Sequence, residues 1–87
     1  MDIIELNQGI YGLYFEDGIY YLRVICGGGF AEYHIVIKLS DEEVSSYKSG
    51  YMDLLSLANE IKRKPTLFED RSIHLSEFYR IMNASKN

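Results

Sequence analysis

Within three short runs between residues 10 and 39 every second position is apolar or aromatic, and after residue 39 the apolar spacing changes to three and four. The stretch Ile-Tyr-Tyr-Leu-Arg-Val-Ile-Cys from Ile19 to Cys26 is rich in β-branched and aromatic residues and reads as a strand with a neighbour on each side. Before it, Asp17-Gly18 fits the central pair of a type I′ hairpin turn, where both residues need positive φ. A two-residue loop there sets Glu16 opposite Ile19 and pairs Phe15 with Tyr20, Leu13 with Leu22 and Tyr11 with Val24. These side chains are all apolar or aromatic, so they define an inner face. After the strand, Gly27, Gly28 and Gly29 supply a second turn, and placing Cys26 opposite Ala31 pairs Val24 with Tyr33, Leu22 with Ile35 and Tyr20 with Ile37. A slip of one residue would turn Glu32 and Lys38 into the core, which excludes it. The predicted strands are 10–16, 19–26 and 30–39, a three-stranded antiparallel meander. Gly12 marks a bulge or a close backbone approach. Residues 1–9 read either as a short edge strand or as an irregular lead-in.

The helical part opens at Leu39-Ser40-Asp41-Glu42-Glu43-Val44. Ser40 and Glu43 have the spacing of a capping box, and Leu39 and Val44 that of a hydrophobic staple. Three acids in the first turn complement the helix dipole. This helix spans 41–49, stops at Gly50 and turns Val44 and Tyr47 to the sheet. Tyr51, Leu54, Leu55, Ala58 and Ile61 form the stripe of a second helix over 51–64, ended by Pro65. Residues 66–72 form a polar connection anchored by Leu67 and Phe68. Leu75, Phe78, Tyr79 and Met82 predict a third helix over 75–84, with Ser76 as its cap. The expected fold is α+β: an N-terminal meander packed on one face by two to three C-terminal helices in one domain, residues 1–87.

Composition narrows the function classes. Of the 87 residues, 47% are hydrophobic, enough for one core without staples. Cys26 is the single cysteine and falls on the inner face, where a small buried apolar residue is the plain reading. No signal-peptide pattern or membrane-length apolar run is present, so the expected location is a reducing cytoplasm. Residues 1–60 hold ten acids and three bases, a net of −7, and residues 61–87 hold three acids and six bases, a net of +3, which together recover −4. An acidic body repels nucleic acid and attracts basic proteins.

Neither His34 nor His74 has a nucleophile or second metal ligand at a recognisable spacing, and the glycine run lacks the lysine and helix of a phosphate loop. The expectation is therefore a protein that is not an enzyme and holds no metal or cofactor. The outer face of the sheet is more informative. There Tyr14, Ile19, Tyr21, Ile25, Phe30 and Val36 mix with Glu16, Arg23, Glu32 and His34, the last placed opposite Arg23. Rigid rings among charges suit a protein-binding surface. Two other readings compete: the third helix covers this face, or two copies pair through it.

The run Leu39-Ser40-Asp41-Glu42-Glu43-Val44, then Tyr47 and Gly50, Leu57-Ala58-Asn59-Glu60-Ile61, Pro65 and Arg71 resembles small immunity proteins encoded beside bacterial toxins, in particular those of contact-dependent growth inhibition and related polymorphic toxin systems. The likeness covers about a third of the chain, and its motifs describe helix caps and a core stripe. It implies a cytoplasmic inhibitor that binds one cognate toxin, often a nuclease acting on transfer RNA or other nucleic acid, and occludes its active site. On that reading Tyr14, Tyr21, Arg23, Glu32 and His34 form the contact face, while Glu16, Asp17, Asp41 and Glu42 steer a basic nuclease toward it. The protein is then a monomer or weak homodimer with no direct nucleic-acid or membrane contact. Two further classes stand beside it: a nucleic-acid or ribosome-associated module using Lys62, Arg63, Lys64, Arg71 and Arg80, and a homodimeric regulatory subunit.

Overall fold

The structure is a computed structural model, and it describes residues 1–27 and 31–84. Strand β3 (Ile19–Cys26) is the centre of a five-stranded antiparallel sheet in which β1 (Asp2–Asn7), β2 (Tyr11–Glu16), β3, β4 (Tyr33–Lys38) and β5 (Ser72–Ile73) lie in sequence order. The β2–β3 hairpin has the predicted register, with Glu16 opposite Ile19 and Leu13 opposite Leu22. Its turn puts Asp17 at φ 52° and Gly18 at φ 82°. Both angles are left-handed, as the type I′ turn requires.

The sheet decides one open alternative of the sequence reading, adds one strand and corrects one register. Residues 1–9 do supply an edge strand, with an irregularity between Ile3 and Glu5. Strand β5 is an addition, two residues that pair Ile73 with Val36. The β3–β4 register is displaced by two residues: Cys26 pairs with Tyr33, Val24 with Ile35 and Leu22 with Ile37. A displacement of two returns every side chain to its own face, so the apolar pattern excludes a slip of one and is blind to a slip of two. Ala31 accordingly lies outside β4. Gly28, Gly29 and Phe30 lie outside the described residues.

The inner face follows the sequence closely. Leu13, Leu22, Val24, Cys26 and Ile37 meet Leu54, Ala58 and Ile61 of α2 (Leu54–Arg63), with Val44 and Tyr47 of α1 (Asp41–Lys48) at the border. Each fully buried aliphatic side chain here contributes about 1.5–3 kcal/mol. The capping box forms as predicted: Glu43 N–H donates to Ser40 Oγ at 3.2 Å and Ser40 N–H to Glu43 Oε1 at 2.8 Å. Helix α2 starts later than expected because Asp53 caps it, its carboxylate accepting from Leu55 N–H at 3.2 Å. Tyr51 therefore leaves the apolar stripe and is 90% exposed. Residues 65–71 wind as a 3-10 helix that buries Phe68 and leaves Leu67 outside.

Helix α3 (Leu75–Ala84) overturns the expectation that helices cover one face only. It packs on the outer face, where Phe78 lies among Tyr14, Tyr21 and Val36. The device that moves the chain across is β5. By pairing at the β4 edge it carries the backbone past the rim of the sheet before α3 begins. The helix opens with His74 C=O accepting from Phe78 N–H, so Ser76 lies inside the first turn and is not its cap.

Candidate protein-binding surface

Helix α3 divides the outer face into a sealed part and an open part. Tyr21 is 3% exposed and Tyr14 is also buried, both against Phe78, with ring centroids 5.9 and 5.2 Å from its ring. Neither side chain presents the open contact surface expected of it. Gly12 explains how Tyr14 lies so flat, since a Cβ at residue 12 would stand 2.8 Å from the Tyr14 ring. The close approach read at Gly12 is thus to an aromatic ring, and the irregular pairing belongs to β1.

Arg23, His34 and Glu32 are brought together, although not by direct cross-strand pairing. Arg23 pairs with Val36 and His34 with Ile25, so the two are diagonal neighbours. Arg23 Nε donates to His34 Nδ1 at 2.9 Å, and Arg23 Nη2 donates to Tyr79 Oη at 2.7 Å. A guanidinium N–H directed at Nδ1 needs a lone pair there, which leaves the His34 proton on Nε2. Nε2 lies 3.0 Å from Glu32 Oε1 and donates to it. The Arg23 carbon also sits 5.2 Å from the Tyr79 ring centroid, a stacked cation–π contact. The result is a chain of polar groups, Glu32–His34–Arg23–Tyr79, that ties the sheet to α3 and presents its outer ends to solvent.

Beside this chain the open part continues to the sheet edge. A cleft of about 220 Å³ is lined by Leu6, Gly12, Tyr14, Arg23 and Ile25 among others. Ile3 and Leu6 of β1 share this face, opposite Tyr14 and Gly12, and are 63% and 55% exposed. Large aliphatic side chains on an edge strand are the kind of surface that partners cover. Ile3, Leu6 and Tyr79 are the surface residues that sequence reasoning missed. The apolar character of Ile3 and the stripe containing Tyr79 were legible, but their common face depends on β1 joining the sheet and α3 crossing it.

The four acids expected to steer a partner, Glu16, Asp17, Asp41 and Glu42, gather at the opposite end of the strands. Glu16 and Asp17 belong to the β2–β3 turn. Leu39 N–H donates to Tyr20 C=O at 2.9 Å, which brings the start of α1, with exposed Asp41 and Glu42, to the same end. The basic residues are dispersed instead. Lys62, Arg63 and Lys64 end α2 on the inner side, whereas Arg80 lies on α3 across the sheet, 3.9 Å from Glu77. Arg71 is engaged, donating to Glu43 and to Lys38 C=O.

On the inner side a second carboxylate site is structural. Tyr11 and Tyr47 both donate to Glu5, which fastens β1 to α1. Burial, then the Glu5 hydrogen bond and charge, push the Tyr11 phenol up to about 12 and the Tyr47 phenol up as well. Burial likewise raises the Cys26 thiol, an inert position for a nucleophile. Among the described residues no group of three or more His, Cys, Asp or Glu is placed to hold a metal ion, and no helix is long and apolar enough to cross a membrane.

Comparisons with family models, curated proteins and solved structures return no match. The functional reading therefore stands on the surface geometry.

Proposed function

We propose that this protein is a binding module for a basic protein partner, acting as a cytoplasmic immunity protein that neutralises a cognate toxin, a nuclease acting on RNA, by occluding its active site. The observation that supports the reading is the open outer face beside α3. There exposed Ile3 and Leu6, a cleft, and the Glu32–His34–Arg23–Tyr79 chain form one continuous surface of aliphatic, aromatic and charged groups. Aromatic and arginine side chains held rigid by their own contacts lose little entropy when covered. Exposed acids at the turn end, Asp17, Asp41 and Glu42, supply the long-range attraction for a basic partner. In this arrangement Arg23, Glu32 and His34 remain contact residues, and Tyr79, Ile3 and Leu6 replace Tyr14 and Tyr21.

The nucleic-acid reading has less support, because its cations are divided between the two sides of the sheet and Arg71 is held by Glu43. The test is co-purification of the tagged protein from cells carrying the adjacent upstream gene, followed by an assay of the recovered protein. A stoichiometric basic partner whose nuclease activity is suppressed by the 87-residue chain is the expected result. Recovery of the chain only as a self-associated species overturns the reading.

A further inference from the structure

The second opening on the outer face lies between the Asp17-Gly18 turn and the C-terminal end of α3, a cleft of about 330 Å³ lined by Glu16, Asp17, Ile19, Tyr21, Ile81 and Ala84. Its walls are apolar and its rim is acidic. Tyr21 is nearly all covered and lines this cleft, and its phenol takes part in none of the side-chain hydrogen bonds described above. A phenol oxygen at the wall of a cleft can accept from an incoming donor. Burial raises the Tyr21 phenol, and the carboxylates of Glu77, Glu16 and Asp17 raise it further, so the cleft lies in a negative potential. The Met1 ammonium stands 3.0 Å from Glu16 Oε1 and offsets that charge, so the exposed Asp17 carboxylate carries the rim.

We propose that this cleft is a socket for one cationic side chain, a lysine or arginine, presented by the partner protein. The proposal rests on the partner-binding reading above. A lysine or arginine matches the lining from base to tip. Its methylene stem lies against Ile19 and Ile81, its charged head meets Asp17 at the rim, and one N–H donates to the Tyr21 hydroxyl. The socket also gives the acidic turn a role beyond steering, since a charge-assisted contact inside a cleft is screened less than one at the surface.

The experiment is a titration of the full chain with Nα-acetyl-lysine N-methylamide, followed by amide chemical shifts, with the norleucine analogue as the uncharged control. Shifts confined to Glu16, Asp17, Ile19, Tyr21 and Ile81, seen with the lysine probe and weakened about tenfold by Asp17→Asn with Tyr21→Phe, are expected. Asparagine tolerates the left-handed φ at residue 17 and phenylalanine keeps the Tyr21 ring, so both variants retain the fold. Equal shifts with norleucine, or none with lysine, overturn the socket. The same variants tested on a purified toxin partner separate the two levels. Unchanged affinity for Asp17→Asn overturns the socket while the partner reading stands, whereas failure to find a basic partner overturns that reading and leaves the lysine titration to judge the cleft.

Discussion

Phe78→Ala tests whether α3 closes the outer face. Phe78 is fully buried and its ring meets those of Tyr14 and Tyr21 edge-on, with the Arg23 guanidinium 5.9 Å from its centroid. Deleting a buried phenylalanine ring costs about 3–5 kcal/mol in lost transfer energy and cavity. Each aromatic pair adds about 0.5–1.5 kcal/mol beyond area, so the upper half of that range is expected. A chain of 87 residues has a total stability of about 4–13 kcal/mol, so the loss is a large fraction of the whole. In urea, with a slope of about 1 kcal/mol/M for a chain this small, the midpoint should fall by roughly 3 M or more. Phe78→Leu, which keeps an apolar filling and loses only the ring geometry, should fall by about 1–2 kcal/mol. A Phe78→Ala protein within about 1 kcal/mol of the parent would refute the placement of α3, because no fully buried ring could then occupy that seam.

Three other outcomes follow from named contacts. Burial alone would raise the Glu43 carboxyl, but Arg71 and the Ser40 backbone and side chain outweigh it and hold the group below its ordinary 4.5, so its contribution is present above that value and is lost as pH falls below it. Glu43→Gln should flatten this acid limb in denaturation midpoints measured across the range, and an unchanged limb would remove Glu43 as its source. The Tyr11 phenol is raised instead, so its contribution is complete below about pH 10 and is lost as pH rises toward about 12, and Tyr11→Phe should weaken that alkaline loss of stability. Gly12→Ala should push Tyr14 off the sheet and cost about 1–3 kcal/mol by thermal melting, whereas an unaltered melting temperature would mean that the ring does not lie over residue 12.

What the sequence reveals, and what it hides, divides along physical lines. Local chemistry is legible. Asp17-Gly18 specifies its hairpin, Ser40 with Glu43 specifies a helix start, and the alternation from Tyr11 to Val24 specifies the inner face. Quantities that depend on distance along the chain are less so. The β3–β4 register differs by two residues because side-chain alternation repeats after two. The side of the sheet taken by α3 is decided by the Ser72–Ile73 strand, too short to carry a periodic signal. The surface inherits that ambiguity. Arg23, Glu32 and His34 assemble as a patch even though Arg23 faces Val36, since long side chains reach their diagonal neighbours. Tyr14 and Tyr21 look like exposed recognition residues until a helix is placed over them.

The central claim is that the partner docks on the open outer face beside α3. Once the proposed toxin partner is recovered, the most direct test is its inhibition by the variant Leu6→Asp with Tyr79→Ala, compared with Tyr51→Ala on the connection between α1 and α2. Leu6 and Tyr51 lie mostly at the surface, whereas Tyr79→Ala also removes the contacts with Arg23 at a cost of about 1–2 kcal/mol, so inhibition is compared at a temperature where every variant is folded. The account predicts that the double variant weakens inhibition by at least about tenfold while Tyr51→Ala inhibits like the parent. Full inhibition by the double variant, or loss of inhibition through Tyr51→Ala alone, would contradict it.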